Sequence, residues 1–229
     1  MTTVNPNHAE FKTQDAASYN PVAQSFDRFV TQLSAPVAAR LVALAGLAPD
    51  NHVLDVGAGT GIVALRAVAE MGPSGRVVGI DLSDGMLEVA RQNARGRGLA
   101  DRVEFRKMDA ESLDCKDGSF DAVVSLFALR HFPHPETALQ EMHRVLRPGG
   151  RLVLAVGSGA PWLSLVGLVH RLKLLPHVVR RFQGKQLVAC KFLDGMVAAY
   201  VPSSGKSEEA GWTHEHTHMQ QSVPAFIRA

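Results

Sequence analysis

From about residue 50 the chain alternates between short apolar runs and stretches whose apolar residues recur every third or fourth position. HVLDV (52–56), RVVGID (76–81), RVEFRKMD (102–109), FDAVVSLFAL (120–129) and RLVLAV (151–156) read as five strands. Between them, 61–71 sets Ile62, Val63, Leu65, Val68 and Met71 on one helical face. The stretch 83–95 does the same with Met86, Leu87 and Ala90 behind Ser83 as N-cap, and 135–146 closes on RPGG. Strand and helix in alternation predict consecutive βα units and a doubly wound, Rossmann-like, mainly parallel α/β sheet. The fourth run is long and continuously apolar, which suits a central strand buried on both faces.

Before residue 50, SFDRFVTQLSAPVAARLVALAGL spaces its apolar residues by three and four and predicts helices packed on the sheet. After the fifth run the alternation stops. Residues 160–229 are first apolar and basic, then polar through SSGKSEEAG, then histidine-rich in THEHTH. The expected layout is an N-terminal helical segment (1–50), an α/β core (51–159), and a helical cap with a C-terminal segment (160–229). At 229 residues and 46% hydrophobic content, these parts suit one domain around one core.

Charge and cysteine usage narrow the classes. A formal net charge of +2 gives the whole chain no nucleic-acid-binding signature. Cys115 and Cys190 stand far apart without a CxxC spacing, so neither a disulfide framework nor a structural zinc site is expected. The opening MTTVNPNHAEFKTQD lacks a basic region followed by an apolar stretch, so a cytoplasmic protein is expected. Trp162–Leu175 is the most lipid-like segment, but His170, Arg171 and Lys173 interrupt it, and it is shorter than the about 20 apolar residues of a spanning helix.

The stretch VLDVGAGTG (53–61) carries the chemistry. A strand running through glycines into a helix brings backbone N–H groups and a positive helix end to one point, which favours an anionic group. The dinucleotide fingerprint G-x-G-x-x-G/A asks for a small residue at position 62, where Ile62 stands. A phosphate loop asks for Lys followed by Ser or Thr; the GKS at 205–207 has no glycine-rich loop before it. Asp-x-Gly-x-Gly-x-Gly, led by Asp55, remains.

That pattern resembles the first motif of the class I S-adenosylmethionine-dependent methyltransferases. Asp81 at the end of the second strand, Asp109–Ala110 at the end of the third, and LRPGG before the fifth occur in the family's order. The resemblance spans about residues 15–158. It is nearest to the ubiquinone/menaquinone C-methyltransferase branch through FALRHFPHPETALQEMHRVLRPGGRLVL. His131 replaces that branch's Asn after Arg, and VGSGAP replaces its FSKP segment, so the acceptor is not carried over.

The resemblance implies S-adenosylmethionine as cofactor. The implied contacts are Asp55, Gly57, Ala58, Gly59, Thr60 and Gly61 in the loop, and Asp81, Leu82 and Met86 after the second strand. Asp109, Ala110 and Leu126 follow, with Tyr19 and Phe26 in a segment that folds over the site. Asp81 would take the two ribose hydroxyls, and Asp109 with a backbone N–H would read the adenine edge. Asp121, which precedes a strand, reads as structural.

Methylation at carbon or oxygen requires a proton to leave the acceptor. His131 is the first candidate for base or orienting group, Arg130 for holding an anionic acceptor oxygen, and His134 lies in the same LRHFPHP stretch. The expected activity is methylation of a small, hydrophobic acceptor, carbon ahead of oxygen. The alternatives are an RNA or protein methyltransferase, or a catalytically silent S-adenosylmethionine-binding module.

Between Glu141 and Asp194 there is no acidic residue, while nine Arg and Lys residues from Arg144 to Lys191 fall there, a local basic field. With WLSLVGLVHRLKLL it suggests a lid over an apolar acceptor, or peripheral contact with anionic membrane through 160–191. His214, His216 and His218 alternate but lack a fourth ligand, so no metal site is assigned. SVPAFIRA resembles the family's last helix, after which two more strands normally follow. A five-stranded core with an incomplete edge, and with it self-association, is therefore expected.

Overall fold

The computed structural model describes residues 6–156 and 186–190. The α/β alternation is present in the order read from the pattern. Strands β1 (His52–Val56), β2 (Arg76–Asp81), β3 (Val103–Lys107), β4 (Phe120–Leu126) and β5 (Leu146–Ala155) are separated by helices α3 (Ile62–Glu70), α4 (Asp84–Gly96) and α5 (Pro135–Val145). Ahead of them stand α1 (Pro6–Tyr19), a 3-10 turn at Asn20–Val22 and α2 (Ala23–Ala45). One further strand, β6 (Gln186–Cys190), pairs in parallel with β5.

The sheet order is β3-β2-β1-β4-β5-β6, every described pairing parallel. The chain steps outward from β1 to β3, then returns to the other side of β1 for β4. A crevice therefore opens at the carboxyl ends of β1 and β4, where ligands of such sheets bind. Successive residues of β1 serve opposite layers, as strand geometry requires. Val53 packs with α2, α3 and α4 residues such as Leu41, Leu65 and Leu87, and Leu54 packs with α5 residues such as Leu139 and Met142. Leu41, Leu54, Leu65 and Leu87 are completely buried, each contributing about 1.5–3 kcal/mol on burial.

Two expectations about elements need correction. The sheet has a sixth strand: Gln186–Cys190 lies within the segment expected to be a helical cap and covers the edge beside β5. The fourth run stops being a strand at Leu126, because Phe127 takes φ +60 and turns the chain into a 3-10 turn at Leu129–His131. Ser83 does cap α4, accepting from Met86 N at 3.2 Å.

The basic field also shrinks. Arg144 pairs with Glu141 and Asp117 and donates to the Leu113 and Cys115 carbonyls. Glu141 and Asp117 together hold its guanidinium well above the usual arginine range. Arg147 pairs with Asp121, whose other oxygen accepts from His52 N, and Arg151 caps α2 through the Ala45 carbonyl at 3.1 Å. The other parts of that field, the expected membrane-facing stretch 160–185, the three alternating histidines and SVPAFIRA lie outside the described residues.

Candidate active site

The crevice at the ends of β1 and β4 is a cavity of about 420 Å³. The glycine loop forms its floor. Gly57 N and Ala58 N both donate to the Ile80 carbonyl, at 2.9 and 2.8 Å, which draws the loop against the end of β2. Gly57 has φ +72, and a Cβ there would lie 2.2 Å from Ala128 Cβ, so only glycine fits between β1 and the turn after β4. At Gly59, φ is +53 and a Cβ would meet nothing within 4 Å.

Asp81 closes one side of this floor. Its Oδ2 accepts from Gly59 N and its Oδ1 from Ser83 N, both at 2.9 Å. Burial pushes its carboxyl above the usual range, opposed by these amides. Asp55 lies beneath, 1% exposed, and accepts from Ala64 N in the first turn of α3 at 3.0 Å. Burial pushes its carboxyl up to about 7; the Ala64 amide opposes the shift and the charge of Asp81 adds to it. Asp55 and Gly61 do not reach the cavity surface. Asp55 instead ties the loop to the helix that follows it.

Met108, Asp109 and Ala110 line the far end, beside Leu82 and Met86. Asp109 does not face the cavity alone: Lys12 Nζ donates to its Oδ2 at 2.7 Å and meets Glu111 Oε2 at 2.6 Å. Burial acts to lower the Lys12 pKa, but its bonds to the two carboxylates outweigh it and hold the ammonium above its ordinary value. Lys12, Asp15, Ala16 and Tyr19 make α1 one wall of the cavity. At its end, Asn20 Oδ1 accepts from Ser83 Oγ at 2.8 Å and Gly85 N at 2.9 Å, fixing the α1–α2 corner to the start of α4.

The third wall is the turn after β4, with Leu126, Phe127, Ala128, Arg130, His131 and Phe132. Phe127 is the one non-glycine with positive φ among the described residues, and its N–H donates to Ala155 O at 2.8 Å. A bulky residue held there is strained and marks a site where geometry is imposed. His131 lies between α1 and Arg130: Nδ1 is 3.0 Å from Asp15 Oδ2, and Arg130 Nε donates to Nε2 at 3.1 Å. Tyr19 meets both the His131 ring and Phe26 edge to face.

Of the residues singled out in the sequence, Tyr19, Phe26, Gly57, Ala58, Gly59, Thr60, Asp81, Leu82, Met86, Asp109, Ala110, Leu126, Arg130 and His131 line this one cavity. His134 does not. It stands at the N-cap position of α5 without a side-chain capping bond, faces His8 at 2.7 Å, and its N–H donates to Glu111 Oε1. Sequence reasoning missed Lys12, Asp15 and Asn20. Among the described residues no group of His, Cys, Asp or Glu could hold a metal ion.

The residues present fit S-adenosylmethionine. The carboxylate pocket of Asp81 suits a hydroxyl pair, the open face of Gly59 admits close approach to backbone, and Leu82, Met86 and Met108 suit a flat ring. The methyltransferase domain family matches residues 54–154. A solved Bacillus halodurans C-125 protein, provisionally assigned as a methyltransferase, is 31% identical with a TM-score of 0.54, over 63% of this chain and 68% of that one. This chain belongs to the class I S-adenosylmethionine-dependent methyltransferases. Within that family it is 40% identical over 137 residues to the ubiquinone/menaquinone biosynthesis C-methyltransferase of Ectopseudomonas mendocina, covering 59% of this chain and 54% of that protein. The chain thus spans about half the length of the curated relatives it matches. The solved [4+2]-cyclase SpnF is also similar, 31% identical with a TM-score of 0.54, over 66% of this chain and 58% of that one.

Proposed function

We propose that the protein transfers a methyl group from S-adenosylmethionine to a small, largely apolar acceptor, at carbon ahead of oxygen. The observation that carries this reading is that the donor-side residues Gly59, Asp81 and Asp109 and the acceptor-side residues His131 and Arg130 line a single cavity. Phe26, Ile62, Val63, Phe127 and Phe132 add an apolar lining, which suits an apolar body with one polar end. The curated relatives are named for quinone biosynthesis, and an aromatic quinone precursor has that form.

Bound S-adenosylmethionine supplies a methyl group already activated on a positively charged sulfur. The chain must therefore align the acceptor, exclude water and receive a proton. Alignment by the loop, α1 and the turn after β4 can contribute about 7–11 kcal/mol. His131 Nε2 takes the acceptor's proton, a contribution of about 10²–10⁴ in rate. Arg130, exposed at the rim, holds the acceptor oxygen on which negative charge develops.

Incubation with methyl-labelled donor and separated lipid, small-molecule, protein and RNA pools tests the proposal. Label in the organic-soluble small-molecule or lipid pool is expected; label in RNA or protein alone overturns it. A second reading has one specific support, the likeness to a cyclase of the same fold, since fold does not dictate reaction. Donor binding without label in any pool favours that reading.

A further inference from the structure

The two sides of the His131 ring face different chemistry. Asp15 Oδ2 stands 3.0 Å from Nδ1. On the other side, Arg130 Nε donates to Nε2 at 3.1 Å, and the Tyr19 hydroxyl lies 3.5 Å from the same nitrogen. An ionised carboxylate only accepts hydrogen bonds and a guanidinium only donates them. A neutral ring satisfies both neighbours in one way, with its hydrogen on Nδ1 and its lone pair on Nε2. The opposite tautomer would set a lone pair against a carboxylate and an N–H against a guanidinium. A doubly protonated ring would keep the second of those conflicts.

We propose that Asp15 is a positioning residue that holds His131 in the Nδ1–H tautomer, so that Nε2 is the proton acceptor of the site, and that this base is assembled only when α1 lies on the α/β body. The inference rests on reading the cavity as a site of methyl transfer. In the step it serves, the acceptor's C–H or O–H proton passes to Nε2. The electron pair left on the acceptor forms the new bond to the methyl carbon, and the sulfur leaves with the pair of the broken bond as a neutral thioether. The imidazolium formed is balanced across the ring by Asp15 and later returns its proton to water. Arg130 must leave Nε2 as the acceptor arrives, and its exposure allows this. Asp15, Tyr19 and Lys12 all belong to α1, so the helix that closes on Asp109 also completes the base. Enclosure and proton-accepting competence are thereby linked.

Long-range proton–nitrogen correlation spectra of histidine-labelled protein, which distinguish the two tautomers, test this. His131→Gln identifies the signal among the ten histidines, and spectra are taken with and without S-adenosylhomocysteine. Wild type is expected to show the Nδ1–H pattern. Asp15→Leu, which removes the acceptor facing Nδ1, is expected to move it to a mixture or to the Nε2–H form. A wild-type His131 in the Nε2–H form overturns the inference, as does a tautomer unchanged in Asp15→Leu. Failure of S-adenosylhomocysteine to bind wild type overturns the methyl-transfer reading instead, and the two failures are read from separate signals.

Discussion

Lys12 Nζ lies 2.7 Å from Asp109 Oδ2, a contact between residues 97 positions apart that ties the N-terminal helix to the end of β3. The same ammonium reaches Glu111, so one cation neutralises two carboxylates at the rim where the adenine would lie. Removing it would leave two like charges facing each other beneath α1.

Lys12→Met is therefore expected to release α1 before it disturbs the sheet. A loss of about 1–2 kcal/mol is expected for the partly buried pair of charged hydrogen bonds, discounted for solvent screening. Hydrogen-exchange mass spectrometry should show α1 amides losing protection while β1 and β4 amides keep theirs. Unchanged protection in α1 would mean that the ion pairs do not hold the helix.

Gly57 and Gly59 both have positive φ but different surroundings, and their alanine variants should separate strain from collision. Gly57→Ala drives a methyl into Ala128 and should cost about 1–3 kcal/mol in chemical denaturation from backbone strain, with packing damage added. Gly59→Ala meets no neighbour, so its stability loss should be the smaller. Both should weaken S-adenosylhomocysteine binding, because both sit on the cavity floor. Equal stability losses would contradict the observed packing.

Asp55 gives a pH test with a defined sign. Its folded-state value of about 7 lies above the ordinary 3.8, so the folded chain binds more protons than the unfolded one between those limits. From this group stability is highest below about pH 4, falls as pH rises to about 7, and is flat beyond. Asp55→Asn keeps an oxygen for the Ala64 amide and cannot ionise. Its stability relative to wild type should therefore rise steadily from pH 4 to 7 in parallel denaturation curves. A difference independent of pH would show that Asp55 is not held protonated.

Much of this was legible before the structure because it depends on local pattern. The βα alternation, the N-cap Ser83 and the acids ending β2 and β3 follow from spacing along a few residues. What escaped depends on distant partners. A lysine, an aspartate and an asparagine on a helical stretch carry no mark that they will meet residues about 60 to 120 positions away, as Lys12, Asp15 and Asn20 do. QLVAC is too short and too uniformly apolar for periodicity to separate strand from helix, so the pattern alone does not single out β6 from the expected cap. The Arg144 pairing was readable in part, since Glu141 stands three residues earlier on the same helix. Asp55 shows the converse limit: the motif placed it correctly in sequence but could not show that it points beneath the loop.

We propose that the cavity under α1 is a donor site organised around Asp81. Titration calorimetry with S-adenosylhomocysteine, on wild type and Asp81→Asn, tests it most directly. Wild type should bind one equivalent, and the variant should bind at least about tenfold more weakly, the loss of one charged hydrogen-bonding partner. No binding by a folded wild-type protein, or equal affinity in the variant, would contradict the account.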